Sequence, residues 1–522
     1  MRPLVILGCC LFAILGLALI PYAGIETDEP LFATPFYQPL PRDFRVRVFH
    51  HDIPLMIMPY IGTLKTLLYW PILGLFRPNA FSLRVPMVLV GVLTILIFHR
   101  LAASIADARA ALLASLLLAT DPTFLLTETF DWGPVALEHL LVVTGCLMIV
   151  ERRLALGCFF FGLALWNKAI FVWAFAGLVA GVVAADWPEV RRALTGRRTA
   201  AAAACAFLLG ALPFVIYNVH HPNATLQSNA RLSLENLKTK FYVLERSING
   251  SGLLGFMAAD ESAGNPKPPA SRLGRAASWI HEHFGEHRTS LFTYAVLLAL
   301  LATPVWWRSP GRRAGLFAIV FCVVTFLAMA VTRNAGAAIH HTVLLWPIPH
   351  LLVGVAAAAL RPRWLLPGVG AVLAASNLLV INQYFFQFER YGACASFSDA
   401  LYPLSDSLSD QAGQAIYVID WGMFDSLSFL HRGNLDLRVS SEPFMTDTPD
   451  DAQRREIATM LADAHGLFLT HVRPLEMFQG VVERLEAAAG AAGYEPDFIR
   501  IIKDSNGRPV FELIRFRRAG DR

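Results

Sequence analysis

Eleven apolar stretches, each long enough or nearly long enough to cross a bilayer, occupy this chain between residues 3 and 386. They fall at about 3–22, 81–99, 110–127, 133–150, 154–168, 169–185, 199–218, 290–307, 314–332, 342–360 and 364–386. A hydrocarbon layer about 30 Å thick takes roughly 20 apolar residues as a helix, because a helix satisfies its own backbone where no water can. The expected fold is therefore mainly α, a polytopic membrane helical bundle of about 11 transmembrane helices. Only 16% of the residues are charged, against roughly 25% in soluble domains. A soluble enzyme is excluded on that ground, and a net charge of +4 gives no sign of a nucleic-acid partner.

The first run, Leu4–Ile20, exceeds the roughly 7–15-residue core of a signal peptide, and no small-x-small cleavage site follows it. It reads as a retained first span. The fifth and sixth candidates share one run broken at Asn167-Lys168, which suits a tight turn at an interface. Six of the seven cysteines sit in apolar runs, and Cys394 lies outside them. That pattern fits apolar packing, not a disulfide framework or a CxxC metal site.

Orientation follows from the basic residues of the short loops. With a cytoplasmic N-terminus, the inner loops hold Arg100, Arg109, Arg152, Arg153, Arg191, Arg192, Arg197, Arg198, Arg308, Arg312, Arg313, Arg361 and Arg363, with Arg2 ahead of them. The short outer connections hold Lys168 and Arg333. Eleven spans then put the C-terminus outside. The Arg/Ala-rich, Lys-poor composition suggests a bacterial inner membrane, with the C-terminal region periplasmic.

Residues 1–388 thus form the transmembrane domain, with outer loops at 23–80 and 219–289, and residues 389–522 form a small extracytoplasmic α/β domain. In loop 23–80, Pro54, Pro59 and Pro71 interrupt the apolar stretch Ile53–Phe76, so helices lying along the interface are expected. Arg231–Arg246 has helical spacing, and Asn265–Ala270 is a Pro-rich loop. In the C-terminal domain, Ala415–Asp420 and Gly466–Val472 read as buried strands, and Asp450–Ala464 and Leu475–Ala492 as helices. Asn506-Gly507 between two alternating runs signals a hairpin. No GxGxxG or P-loop is present, so no nucleotide site is inferred.

Three sets of residues can carry chemistry. Asp28-Glu29, just after the first span, are adjacent carboxylates suited to acid/base work or to a divalent cation, unless merely solvated. Asp131 lies between the third and fourth spans, with Asp121, Glu128, Glu138 and His139 nearby. Ionisable groups in spans are functional sites or buried networks that hold helices together. Lys65, Arg84 and Lys168 are basic residues near the same face, able to hold a phosphate or, for Lys65 and Arg84, to snorkel. His340-His341 precede the tenth span and lack a third metal ligand in the sequence. These groups gather at outer helix ends, whereas a transporter places its polar site near the midplane, often within inverted repeats. An outward-facing catalytic cleft accounts better for that one-sided pattern.

Over residues 1–386 the chain resembles the C-type membrane glycosyltransferases, in particular family 39, the protein O-mannosyltransferase and lipid A aminoarabinose transferase relatives. The resemblance is carried by Asp28-Glu29, by Lys65 with Tyr69-Trp70, by Leu83-Arg84-Val85-Pro86, and by Gly162-Leu163-Ala164 followed by Lys168. Met58-Pro59-Tyr60-Ile61-Gly62 stands where the family has Lys-Pro-Pro, and residues 390–522 match no family domain. The resemblance implies a polyprenyl-phosphate sugar donor and inversion at the anomeric carbon. It implies Asp28 as the catalytic base, with Glu29 and Asp131 assisting, and Lys65, Arg84, Lys168 and His341 at the donor phosphate. The expected activity is hexosyl or pentosyl transfer to an envelope acceptor: lipopolysaccharide or lipid A, a glycolipid or a protein. Membrane lipids are the other partners. No cofactor is named beyond the divalent cation the acidic pair would suit. The alternative is a lipid-linked sugar flippase or transporter.

Overall fold

The structure is a computed structural model, and it describes every residue except Met1, Gln38, Pro39, Pro41, Ala230, Asn334, Arg363, Ala412, Asp521 and Arg522. Arg363 of the inner arginine collar therefore lies outside the described residues. The chain begins with α1 (Arg2–Leu19), the strands β1 (Phe44–Val48), β2 (His51–Met58) and β3 (Ile61–Gly62), and α2 (Leu64–Leu75). There follow α3 (Ala80–Ile105), α4 (Ala108–Ala119), α5 (Pro122–Thr129), α6 (Val135–Val150), α7 (Leu154–Asn167), α8 (Phe171–Thr195), α9 (Arg197–Gly210) and α10 (Leu212–His220). Among the described residues five helices cross a membrane by length and composition, and eight do if each of three bent pairs counts as one span. The five are α1, α3, α8, Arg312–Ala330 and Leu365–Tyr391; the pairs are α4/α5, α9/α10 and Ile339–Leu345 with Ile348–Ala358. Three expected spans, α6, α7 and Phe292–Leu301, are shorter apolar helices. At 1.5 Å per residue α7 reaches only about 21 Å, short of a hydrocarbon layer about 30 Å thick.

Local chemistry explains the breaks. Asn79 and Ser82 form a reciprocal capping box that starts α3. Asp121 caps Phe124 N–H at 2.7 Å and Pro122 occupies the first turn of α5, so the span expected at 110–127 is two helices bent by 59°. Asp121 also meets His350 at 3.1 Å, both fully buried. Pro213 opens α10 and marks the 68° bend after α9. α8 leaves helical geometry at Asp186, where the expected span ends. Small residues bring helices together: a Cβ on Gly162 of α7 would lie 2.1 Å from the Phe207 carbonyl of α9, the close approach membrane interfaces favour.

The first outer segment differs from expectation. Ile53–Phe76 is not a run of interfacial helices: β1, β2 and β3 form an antiparallel sheet in that order, and the helix begins only at Leu64. His51–Met56 pairs with β1, and Pro54, which has no N–H to donate, sits beside a register shift at Phe44/Arg45. Farther on, Leu237–Ile248 realises part of the helical spacing read over Arg231–Arg246.

The C-terminal region is a five-stranded sheet in the order β5-β4-β6-β8-β7. Its strands are β4 (Ala415–Val418), β5 (Asp436–Val439), β6 (Leu467–His471), β7 (Tyr494–Lys503) and β8 (Pro509–Arg518). β4 runs parallel to β5 and β6, and the β7–β8 hairpin turns at Gly507 with φ +78°. Alternation sorts the faces. Ala415, Tyr417 and Ile419 pack toward helices Asp451–Leu461 and Val481–Ala491, whereas Ile416 and Val418 pack with Leu401, Leu404 and Leu408. That second layer is continuous with Ile20, Ile25, Phe32, Tyr69, Leu83 and Met87 at the ends of α1, α2 and α3. β5 and helices Leu401–Leu408 and Phe424–Leu430 were not foreseen.

Candidate active site

The site is built where α1, α2, α3, α6 and the α7–α8 break end together. Arg84, one turn into α3, is buried and meets Glu29 in a bidentate pair at 2.8 and 2.7 Å. Its remaining N–H groups donate to the carbonyls of Ile20 and Ala23 at 2.9 Å and of Gly24 at 2.6 Å, and its plane lies 4.5 Å from the Phe130 ring. Arg84 thereby ties the end of α1 and the acidic run to α3. Gly24 has no room for a side chain, since a Cβ would lie 2.1 Å from the Ser398 carbonyl. This is where the C-terminal region reaches the site, and Gly24 N–H donates to the Phe397 carbonyl at 2.7 Å.

Lys65, in the first turn of α2, reaches both the Asp131 carbonyl and Asp131 Oδ2 at 2.9 Å, with both side chains 1% exposed. Its ammonium lies over Phe32 at 4.6 Å. Asp131 Oδ1 accepts the N–H groups of Val135 and Ala136, so Asp131 also caps the start of α6. Burial raises its affinity for a proton, against the pull of Lys65. Behind this layer Glu128 meets His139 at 2.6 Å, and Asn167 donates to Glu138 at 2.8 Å. These are buried networks joining α5, α6 and α7.

Two charged groups stand apart from these pairs. Asp28 is only partly buried, and its carboxylate forms no hydrogen bond or ion pair among the described residues. Its backbone N–H donates to Glu26 at 2.8 Å, and Glu26 N–H donates to Glu29 at 3.1 Å, which folds the acidic run into a turn. Burial, with the Asp425 carboxylate second, pushes Asp28 up to about 6, opposed by Lys168, Arg42 and Lys65. Lys168 follows α7, where Ala169 N–H donates to the Tyr60 carbonyl at 2.8 Å and ties the break to the β2–β3 turn. Its side chain is 3% exposed and forms no ion pair or hydrogen bond among the described residues. Burial brings it down to about 8, against the pull of Asp131, Glu138 and Asp28. Its ammonium fits against Gly133, where a Cβ would lie 3.1 Å away.

His340 and His341 flank Lys168 within electrostatic reach. Trp132 Nε1 and His340 Nδ1 lie 3.1 Å apart, and His341 Nδ1 is buried without a partner. All seven expected site residues therefore fall in one region, but in two conditions. Glu29 and Arg84 engage each other, as do Lys65 and Asp131. Asp28, Lys168 and His341 hold no such partner. Arg84 was expected to present its fork to a donor phosphate, yet every N–H it has is already occupied by protein.

Sequence reasoning missed Asp425. It sits in helix Phe424–Leu430, accepts Thr34 Oγ1 at 3.1 Å across 391 positions, and forms an ion pair with Arg42. No local signal could mark it, because a lone Asp in a soluble helix is ordinarily solvated. Among the described residues no group of three or more His, Cys, Asp or Glu side chains is arranged to hold a metal ion.

Neither a family model nor a curated protein sequence matches this chain. Its structure is similar to ArnT from Cupriavidus metallidurans bound to undecaprenyl phosphate, with a TM-score of 0.57 at 14% identity over 98% of this chain and 97% of that one. It is also similar to the Archaeoglobus fulgidus oligosaccharyltransferase in complex with zinc and sulfate, with a TM-score of 0.55 at 12% identity over 97% of this chain and 72% of that one. A second similar structure from that organism is the oligosaccharyltransferase AglB with an inhibitory peptide and a dolichol-phosphate, with a TM-score of 0.50 at 12% identity over 98% and 74% of the two chains. At these identities the likeness shows the fold: the chain has the polytopic fold of the C-type membrane glycosyltransferases.

Proposed function

We propose that this chain transfers a sugar from a polyprenyl-phosphate donor to an envelope acceptor at the outer face of the membrane, with inversion at the anomeric carbon. One observation carries the reading: Asp28 and Lys168, whose side chains have no hydrogen-bond or ion-pair partner among the described residues, act on each other beside the buried pairs Arg84–Glu29 and Lys65–Asp131. Single displacement needs one group to take a proton and another to receive the charge of the leaving phosphate. The acceptor hydroxyl attacks the anomeric carbon and gives its proton to Asp28. The bond from that carbon to the phosphate oxygen breaks, and the lipid phosphate leaves with the electron pair. Lys168 faces that growing charge, and His341 Nδ1 stands beside it. Near neutral pH a carboxyl at about 6 is largely ionised and a lysine at about 8 largely protonated, the states these roles require.

In this reading Arg84–Glu29 and Lys65–Asp131 hold the walls, so Glu29, Asp131, Arg84 and Lys65 act through position. The buried Lys168, without an ion-pair partner among the described residues, and the lipid phosphates bound in the two similar proteins support a polyprenyl-phosphate donor. The arginine collar supports an N-terminus in the cytoplasm of a bacterial cell, with the site facing the periplasm. The test is release of free undecaprenyl phosphate by the purified chain supplied with an undecaprenyl-phosphate sugar and an envelope extract. Wild type is expected to release it, and Asp28→Asn to lose release by about 10²–10⁴-fold. Full release by Asp28→Asn removes Asp28 from the mechanism. Movement of the intact donor across a vesicle without release favours a flippase.

A further inference from the structure

The C-terminal region reaches the site at Phe397–Ser398, against Gly24, and again through helix Phe424–Leu430. The strand order β5-β4-β6 means that the chain leaves β4 to one side and returns to its other side, which creates a switch point at the carboxyl ends of β4 and β6. In parallel sheets this is where function gathers. Asp420, just past β4, accepts His471 Nδ1 at 2.7 Å and the N–H groups of Met477 and Phe478 at 2.9 Å. That network fixes the turn leading into helix Phe424–Leu430. From this helix Ser426 Oγ donates to the Ile25 carbonyl at 2.9 Å, three residues before Asp28. Asp425, buried beside it, gathers Thr34 and Arg42 of the first outer segment. Such a carboxylate is not needed for packing: desolvating it is unfavourable, and an apolar residue would fill the place.

We propose that Asp425 is a positioning residue of the transfer reaction, through which the C-terminal region holds Thr34 and Arg42 beside the acidic turn and sets the charge that faces Asp28. The inference rests on the transferase reading. The charged and titratable groups facing Asp28 come from every side: Glu26 in its own turn, Tyr60 in the β2–β3 turn, Lys65 on α2, Lys168 at the α7–α8 break, Arg42 in the first segment, and Asp425. Asp425 and Arg42 oppose each other. The first makes Asp28 hold its proton more tightly, and the second makes it release the proton sooner. The C-terminal region is thus part of the catalytic unit, not a separate appendage.

Two variants with opposite expected signs test this in the full-length chain. The readout is the pH dependence of undecaprenyl phosphate release, whose acidic limb reports the base. Asp425→Asn removes a negative charge, so the limb moves to lower pH by about 0.5–1 unit; Arg42→Gln removes a positive charge, so it moves up by a similar amount. Thr34→Val, which deletes a hydrogen bond but no charge, leaves the limb in place. A purely structural role lowers the rate at every pH without moving the limb, and that result in both charge variants overturns the proposal. If Asp425→Asn does not fold, an unmoved limb in Arg42→Gln overturns it alone. Absence of release by wild type at any pH instead sinks the transferase reading.

Discussion

The two ends of the helical bundle use the same ion-pair chemistry under opposite conditions. On the arginine-rich side, Arg313 meets Asp186 at 2.9 Å with side chains 60% and 36% exposed, and Arg100 meets Glu151 with 68% and 22% exposed. On the opposite side, Arg84–Glu29 and Lys65–Asp131 are 1% exposed on both partners. Exposed pairs are screened and contribute about 0–1 kcal/mol. Buried pairs lose hydration that their attraction barely repays, so their persistence signals a need for position rather than for stability. The site's paired charges fix α1, α2, α3 and α6 relative to one another, and its unpaired charges are the ones the proposed transfer uses.

The comparison breaks most visibly at Arg84. Arg84→Met strands the Glu29 carboxylate and several carbonyls, so thermal unfolding in detergent should show a loss of about 3–5 kcal/mol; a melting temperature equal to wild type would show the pair to be dispensable. Lys168→Met probes the unpaired class. Removing one group that faces developing charge should lower undecaprenyl phosphate release by about 10²–10³-fold, with melting unchanged or raised, because a desolvated ammonium is gone. Equal loss of stability and rate would place Lys168 with the paired class. Arg313→Gln sharpens the other side. It should shift stability by less than about 1 kcal/mol, and the shift should vanish at high salt.

The helices were legible because hydrocarbon demands long apolar runs, and the break at Asn167-Lys168 was marked by residues that interrupt one; the bend at Asp121-Pro122 was not foreseen, because a capping Asp before a proline lies inside an otherwise continuous apolar run. The hairpin at Asn506-Gly507 and the strands around Ile416 and Leu469 followed from turn chemistry and burial. The sheet of the first outer segment was hidden, because Pro54 and Pro59 in an apolar stretch read equally well as interruptions of interfacial helices. The cluster at one end of the helices was visible as charges without partners. Which charge neutralises which is tertiary: Glu29 and Arg84 lie 55 positions apart, and Lys65 and Asp131 lie 66 apart. Adjacent in sequence and alike in chemistry, Asp28 and Glu29 have different fates, and only the path of α3 past the end of α1 separates them.

That pair of neighbours offers the most direct measurement: unfolding midpoint and undecaprenyl phosphate release, side by side, for Asp28→Asn and Glu29→Gln. The account expects Asp28→Asn to melt at or above the wild-type temperature while release collapses, and Glu29→Gln to lose stability first, with release falling only as the fold loosens. If Glu29→Gln proves stable but inactive while Asp28→Asn turns over normally, the division between holding charges and reacting charges is contradicted.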